Sequence, residues 1–190
     1  MEKYSKFKDP LTGINPFLQP KPKPITMAVF FLAIIRFPIY ILFLCGLPVV
    51  GMLIRINRKD NISPSGFIVC NSASEFDKEI IKKAFGIKQF GHFKHKTCVC
   101  FPEKTNSNNT AILSFKEPGY CDYSIGLKYS SECIYMYGNR FLWFVRFLGS
   151  FNTVDVRVTK GSSLEMATSL PKVMLGFTDK ERFLTLIKQK

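Results

Sequence analysis

Side chains able to do chemistry concentrate in two polar segments, Asn71-Ser72-Ala73-Ser74-Glu75-Phe76-Asp77 and Phe101-Pro102-Glu103-Lys104-Thr105-Asn106-Ser107-Asn108. Each follows a short apolar run, so each is expected in the loop that leaves a buried strand. From residue types alone, the first is a helix cap: Ser72 or Ser74 can accept from a helix N-terminus, with Glu75 or Asp77 three residues later. The second reads as a polar turn between two strands. A further set, His92, His95, Cys98 and Cys100, supplies four nitrogen and sulfur ligands of the kind tetrahedral zinc uses, but not in an established finger spacing. Cys98 and Cys100 alternate as strand residues do, which points one face of the strand to the core.

The elements around these segments alternate. Residues 67–70 form a continuous apolar run suited to a buried strand. Phe76, Ile80, Ile81, Ala84 and Phe85 then recur at helical spacing, with Gly86 as a stop. Strands are further expected at 97–101, 111–115, 123–129, 134–137 and 154–158. Helices are expected at 141–148 and 179–187, the latter opened by Thr178 with Glu181 in capping register. Residues 61–190 therefore describe a mixed α/β domain of about 130 residues, enough for one real core.

Ahead of that domain lie two other regions. Residues 1–24 are basic and rich in proline (Pro10, Pro16, Pro20, Pro22, Pro24), which predicts little regular structure. Residues 25–54 are apolar apart from Arg36, long enough to enter a bilayer about 30 Å thick. Pro38 and Pro48 disfavour a straight helix, and basic residues flank both ends. A re-entrant hairpin and a single tilted span are both open. The run lies too far from Met1 and is too long for a secretory signal. A net charge of +13 with 46% hydrophobic residues fits a polyanionic partner, membrane or nucleic acid. Residues 135–148 mix aromatic side chains with Arg140 and Arg146, which could stack single-stranded nucleic acid. Such an apolar element is more often core or membrane contact, so membrane lipid is the expected partner and nucleic acid is not. The six cysteines in apolar contexts fit a reduced, cytosol-facing domain.

The two polar segments, in this order and each after a strand, resemble the sequence blocks of the glycerolipid acyltransferase family. One block of that family reads Asn-His-x-Ser-x-x-Asp, and Asn71, Ser74 and Asp77 match it; the other reads Phe-Pro-Glu-Gly-Thr-Arg-Ser, and Phe101, Pro102, Glu103, Thr105 and Ser107 match. Thr12-Gly13-Ile14-Asn15-Pro16-Phe17-Leu18 resembles the leader of a fungal lysophosphatidic-acid acyltransferase subgroup. The resemblance implies an acyltransferase-like mixed sheet with flanking helices behind a membrane-anchoring segment. It also implies acyl transfer from acyl-CoA, as co-substrate with no cofactor or metal, to a lysophospholipid at a cytosol-facing endoplasmic reticulum or lipid-droplet membrane. It places Ser72 and Asp77 at the catalytic positions and Glu103, Lys104, Thr105 and Asn106 at the phosphate-binding ones.

The departures fall on the chemistry. Ser72 stands where the family has its general-base histidine, and a serine does not act as a base near neutral pH. Lys104 replaces a glycine, Asn106 replaces an arginine, and the family's middle block has no copy between Asp77 and Phe101. The alternative expectation is an inactive descendant that binds lipid or acts as a scaffold.

Overall fold

The computed structural model describes residues 4–18, 24–91, 97–116, 120–136, 138–161 and 163–188 of the 190-residue chain. In chain order its elements are α1 (Met27–Leu44), α2 (Val50–Leu53), β1 (Ile54–Arg58), β2 (Phe67–Cys70), α3 (Asp77–Phe85), β3 (Cys98–Cys100), β4 (Ile112–Ser114), β5 (Tyr123–Tyr129), α4 (Arg140–Leu148), β6 (Asn152–Lys160), α5 (Leu164–Thr168), β7 (Lys172–Gly176) and α6 (Phe177–Lys188). Five strands form one sheet in the order β1-β6-β5-β2-β3, with β5 and β6 antiparallel and every other pair parallel. The parallel pair β4-β7 stands apart. The domain is thus mixed α/β, with a parallel-rich sheet and flanking helices.

Burial follows the apolar pattern. Ile68, Ile125, Leu127, Val154 and Val156 from the sheet pack with Ile80 and Ile81 of α3 and Phe147 and Leu148 of α4. Burying a side chain of this size stabilises by roughly 1.5–3 kcal/mol. Helix α3 stops where Gly86 adopts φ 72, a left-handed cap that a glycine takes without strain. Gly126 is needed for a different reason. A Cβ there would lie 2.4 Å from the backbone of Ala167, so only glycine lets α5 lie on β5 this closely.

A second cluster contains Phe7, Phe17, Ala111, Leu113, Val173 and Phe183. The N-terminal stretch 4–18 has little regular structure beyond one 3-10 turn, as its prolines predict, yet it is built into this core. Asp9 accepts from Met174 N at 2.7 Å, and Asn108 Nδ2 donates to the carbonyls of Asn15 (3.0 Å) and Leu18 (2.6 Å).

Some local expectations are corrected. The strand expected at 134–137 is instead a 3-10 turn over Glu132–Ile134; Tyr137 lies outside the described residues. Helix α6 already starts at Phe177, so Thr178 lies inside it and the helix-start contact comes from Asp179, which accepts from Gly176 N at 2.9 Å. The apolar run 25–54 divides into α1, a turn at 45–48, α2 and the first residue of β1. Pro38 sits within α1 without ending it.

Candidate functional site

β2 and β3 are parallel neighbours, and β5 runs parallel to β2 on its other side. Their C-terminal ends therefore open at one end of the sheet, where loops of open α/β sheets form ligand clefts. The two polar segments are the loops leaving β2 and β3, so the topology brings together what the sequence separates by about 30 residues.

Glu103 joins them. Its buried carboxylate accepts from Ser72 N at 2.5 Å through one oxygen and from Leu113 N at 2.6 Å through the other. Ser107 N adds a bond to Ser72 O at 3.0 Å, and the Ser72 hydroxyl donates to Asn106 Oδ1 at 2.7 Å. Asn71 ties the first loop to β5 by exchanging bonds with Leu127 N (2.8 Å) and Leu127 O (3.0 Å). Burial pushes Glu103 up to about 7, although the two backbone N–H groups pull the other way.

Asp77 is buried at the start of α3. One oxygen accepts from Ala73 N (2.8 Å) and Ser74 N (3.0 Å); the other accepts from the Tyr129 hydroxyl at the end of β5. The start of α3 at Phe76 thus has no side-chain cap from Ser72 or Ser74; the Asp77 carboxylate instead holds the N–H groups of the loop ahead of the helix, and the Ser74 hydroxyl accepts from Phe76 N at 3.2 Å. Burial raises Asp77 to about 6, against the Tyr129 and backbone hydrogen bonds that lower it. Ser72 and Asp77 line one cleft of about 370 Å³ with Lys78, Lys104, Thr105 and Asn106. They are not joined by a hydrogen bond: Ser72 is turned to Asn106 and Asp77 to Tyr129.

Lys104 occupies the position of the glycine in the block that this loop resembles, and its backbone has φ 56. The loop holds a lysine in the left-handed conformation that favours glycine, a strain of about 1–2 kcal/mol. Lys104→Gly is expected to raise stability by about 0.5–1 kcal/mol after glycine's greater unfolded-state entropy is counted. Lys104→Val is expected to lower it; thermal melts of the two variants beside wild type check both signs.

Next to the cleft, and sharing Ser74, Glu75 and Asn106 with it, is a pocket of about 350 Å³ walled by Ile134, Trp143 and Leu184. It holds two cations, Arg140 at the start of α4 and Lys180 on α6. The Lys180 amine donates to Asn106 O and lies 5.1 Å from the centre of the Tyr135 ring. Desolvation lowers Lys180 to about 8, partly offset by the charge of Glu103. Lys180 had no signal in the sequence, because a lysine on an amphipathic helix reads as a solvated face. Arg140 was visible only within the aromatic-basic stretch. In that stretch Tyr135, Trp143 and Phe147 are buried, and Phe147 stacks against Phe76.

His92 and His95 lie outside the described residues. Cys98 is buried, Cys100 half-buried, and neither forms a disulfide. Among the described residues, no group of three or more His, Cys, Asp or Glu side chains is arranged to hold a metal ion. No protein-family model, curated protein or solved structure matches the chain.

Proposed function

We propose that this chain transfers an acyl group from acyl-CoA to a lysophospholipid such as lysophosphatidic acid at a membrane, as a divergent glycerolipid acyltransferase. The observation that carries the reading is the Glu103 bridge, which holds the two loops of the resemblance over one cleft, with Lys104 in a glycine's conformation at the glycine position. The apolar helix α1 supports membrane association. The endoplasmic reticulum or a lipid droplet, with the domain facing the cytosol, is the compartment this reading implies.

The chemistry divides between the two cations of the pocket. Arg140 offers a planar fork suited to the acceptor's phosphate. Lys180, lowered to about 8, has a neutral fraction near neutral pH and takes the role that Ser72 cannot fill. Its amine accepts the proton of the acceptor hydroxyl as that oxygen attacks the thioester carbon. The carbon–sulfur bond breaks, and the coenzyme A thiolate leaves with the proton from the lysine. Ser72 and Asn106 shape the wall between amine and cleft, while Asp77 and Glu103 hold the loops in place.

One observation favours a second reading, in which the fold binds lipid without transfer. Both oxygens of Asp77 are committed to groups other than a base, and the Ser72 hydroxyl is held by Asn106. Transfer of labelled oleoyl groups from coenzyme A to lysophosphatidic acid separates the two readings: product supports transfer, and binding without product supports the second.

A further inference from the structure

Helix α1 is 18 residues, about 27 Å long, close to the thickness of a bilayer's hydrocarbon core. Length alone would permit it to span. Its two ends do not. After the helix, Leu53 and Ile54 are in the core and β1 pairs with β6. Before it, Phe17 packs on Phe183 with a ring separation of 5.7 Å, Asn108 holds the carbonyls of Asn15 and Leu18, and Tyr135 donates to Phe17 O at 3.2 Å. Chain on both sides of α1 is thus part of one domain. Ile25, two residues before the helix, packs against the main core as well, so the start of α1 is held at the domain and not across a bilayer from it.

The helix also lies along the domain rather than projecting from it. Val29 touches Gly149, where a Cβ would sit 2.3 Å from Val29 O. Further along, Tyr40 meets Phe144 at 4.8 Å and Phe43 meets Phe76 at 5.4 Å. Arg36, the one charge in the helix, turns inward and donates to Ser150 O at 2.6 Å and Leu148 O at 3.4 Å. What remains outward is apolar. Phe31, Ile34, Ile35 and Leu42 are exposed on α1, beside Phe141 on α4. Ala33 is the one residue of α1 that is buried.

We propose that α1 lies lengthwise in one leaflet of a phospholipid membrane, its exposed face among the acyl chains and both of its ends on the side of the domain. A net charge of +13 favours a leaflet that contains anionic lipid. This geometry is independent of whether acyl transfer occurs.

The test uses the full chain with an epitope at each end, inserted into microsomes and treated with protease without detergent. Loss of both epitopes is expected; protection of either one overturns the single-leaflet geometry. In parallel, wild type and the double variant Phe31→Asp, Ile35→Asp are floated with vesicles of phosphatidylcholine and phosphatidylserine. Wild type is expected to float, and the variant's bound fraction to fall by about tenfold or more. These side chains are 57% and 69% exposed, so the variant's melting temperature is expected to stay with wild type. A wild type that does not float, or a folded variant that floats equally well, overturns the proposal.

Discussion

Replacing Lys180 by methionine is expected to reduce the proposed acyl transfer by about 10²–10⁴-fold, the contribution typical of a positioned general base. The substitution keeps a long apolar stem against Tyr135 and removes the amine that donates to Asn106 O. Lys180→Arg distinguishes a base from a binding cation. Arginine keeps the positive charge and can still attract a phosphate, but it does not give up its proton in the working pH range. Transfer is therefore expected to stay low in Lys180→Arg while binding of lysophosphatidic acid is retained. The wild-type rate is expected to rise with pH through about 8, as the amine loses its proton, and then level off. Initial rates of wild type and both variants across this range check the assignment. Full activity in Lys180→Arg would make Lys180 a cation only.

The buried carboxylates that hold the loops make stability fall as pH rises. Glu103 is raised from 4.5 to about 7 and Asp77 from 3.8 to about 6, in each case first by burial. A raised pKa means that the folded state binds the proton more tightly than the unfolded chain. The associated stability is fully present below the unfolded values and is lost as pH climbs through about 6 for Asp77 and about 7 for Glu103. The loss is on the order of 3 kcal/mol for Glu103, with a comparable amount for Asp77. In Glu103→Gln, which cannot titrate, the step near 7 is expected to disappear while the lower step remains. This variant is also expected to be less stable near pH 5, because its amide nitrogen faces the N–H of Ser72 or Leu113 where an oxygen stood. Urea unfolding of wild type and Glu103→Gln across pH 4 to 8 reads both effects; parallel profiles would contradict the role given to Glu103.

Much of this arrangement was legible in the sequence because local pattern and tertiary placement agreed. The apolar run 67–70 became β2, 123–129 became β5, and the period in 76–85 became α3 with Gly86 at its end. The parallel order of β2 and β3 then brought the two polar loops together without further instruction. Three things were not legible. β1 carries Arg55 and Arg58 and reads as the charged flank of the apolar run, although it pairs with β6. The stretch 4–18 has the composition of a free leader, and its docking depends on single contacts, Asp9 to Met174 and Asn108 to Asn15, across 90 residues or more of chain. Lys180 reaches the site from the last helix, and no spacing rule links it to Asn106.

Differences from the sequence blocks that the two loops resemble acquire physical meaning once the loops are placed. Asn106, where the family has arginine, holds Ser72 through its side chain and receives Lys180 at its backbone, so positive charge arrives from α6 instead of from the loop. Ser72, where the family has histidine, leaves Asp77 free to pair with Tyr129. The carboxylate that would orient a base there instead holds the loop ahead of α3 through the N–H groups of Ala73 and Ser74.

Membranes containing the full chain, given labelled oleoyl-CoA and lysophosphatidic acid, provide the most direct measurement. Formation of labelled phosphatidic acid by wild type, reduced to background by Lys180→Met, is the result this account predicts. Binding of lysophosphatidic acid with no more product than the Lys180→Met background would contradict acyl transfer and leave a lipid-binding protein.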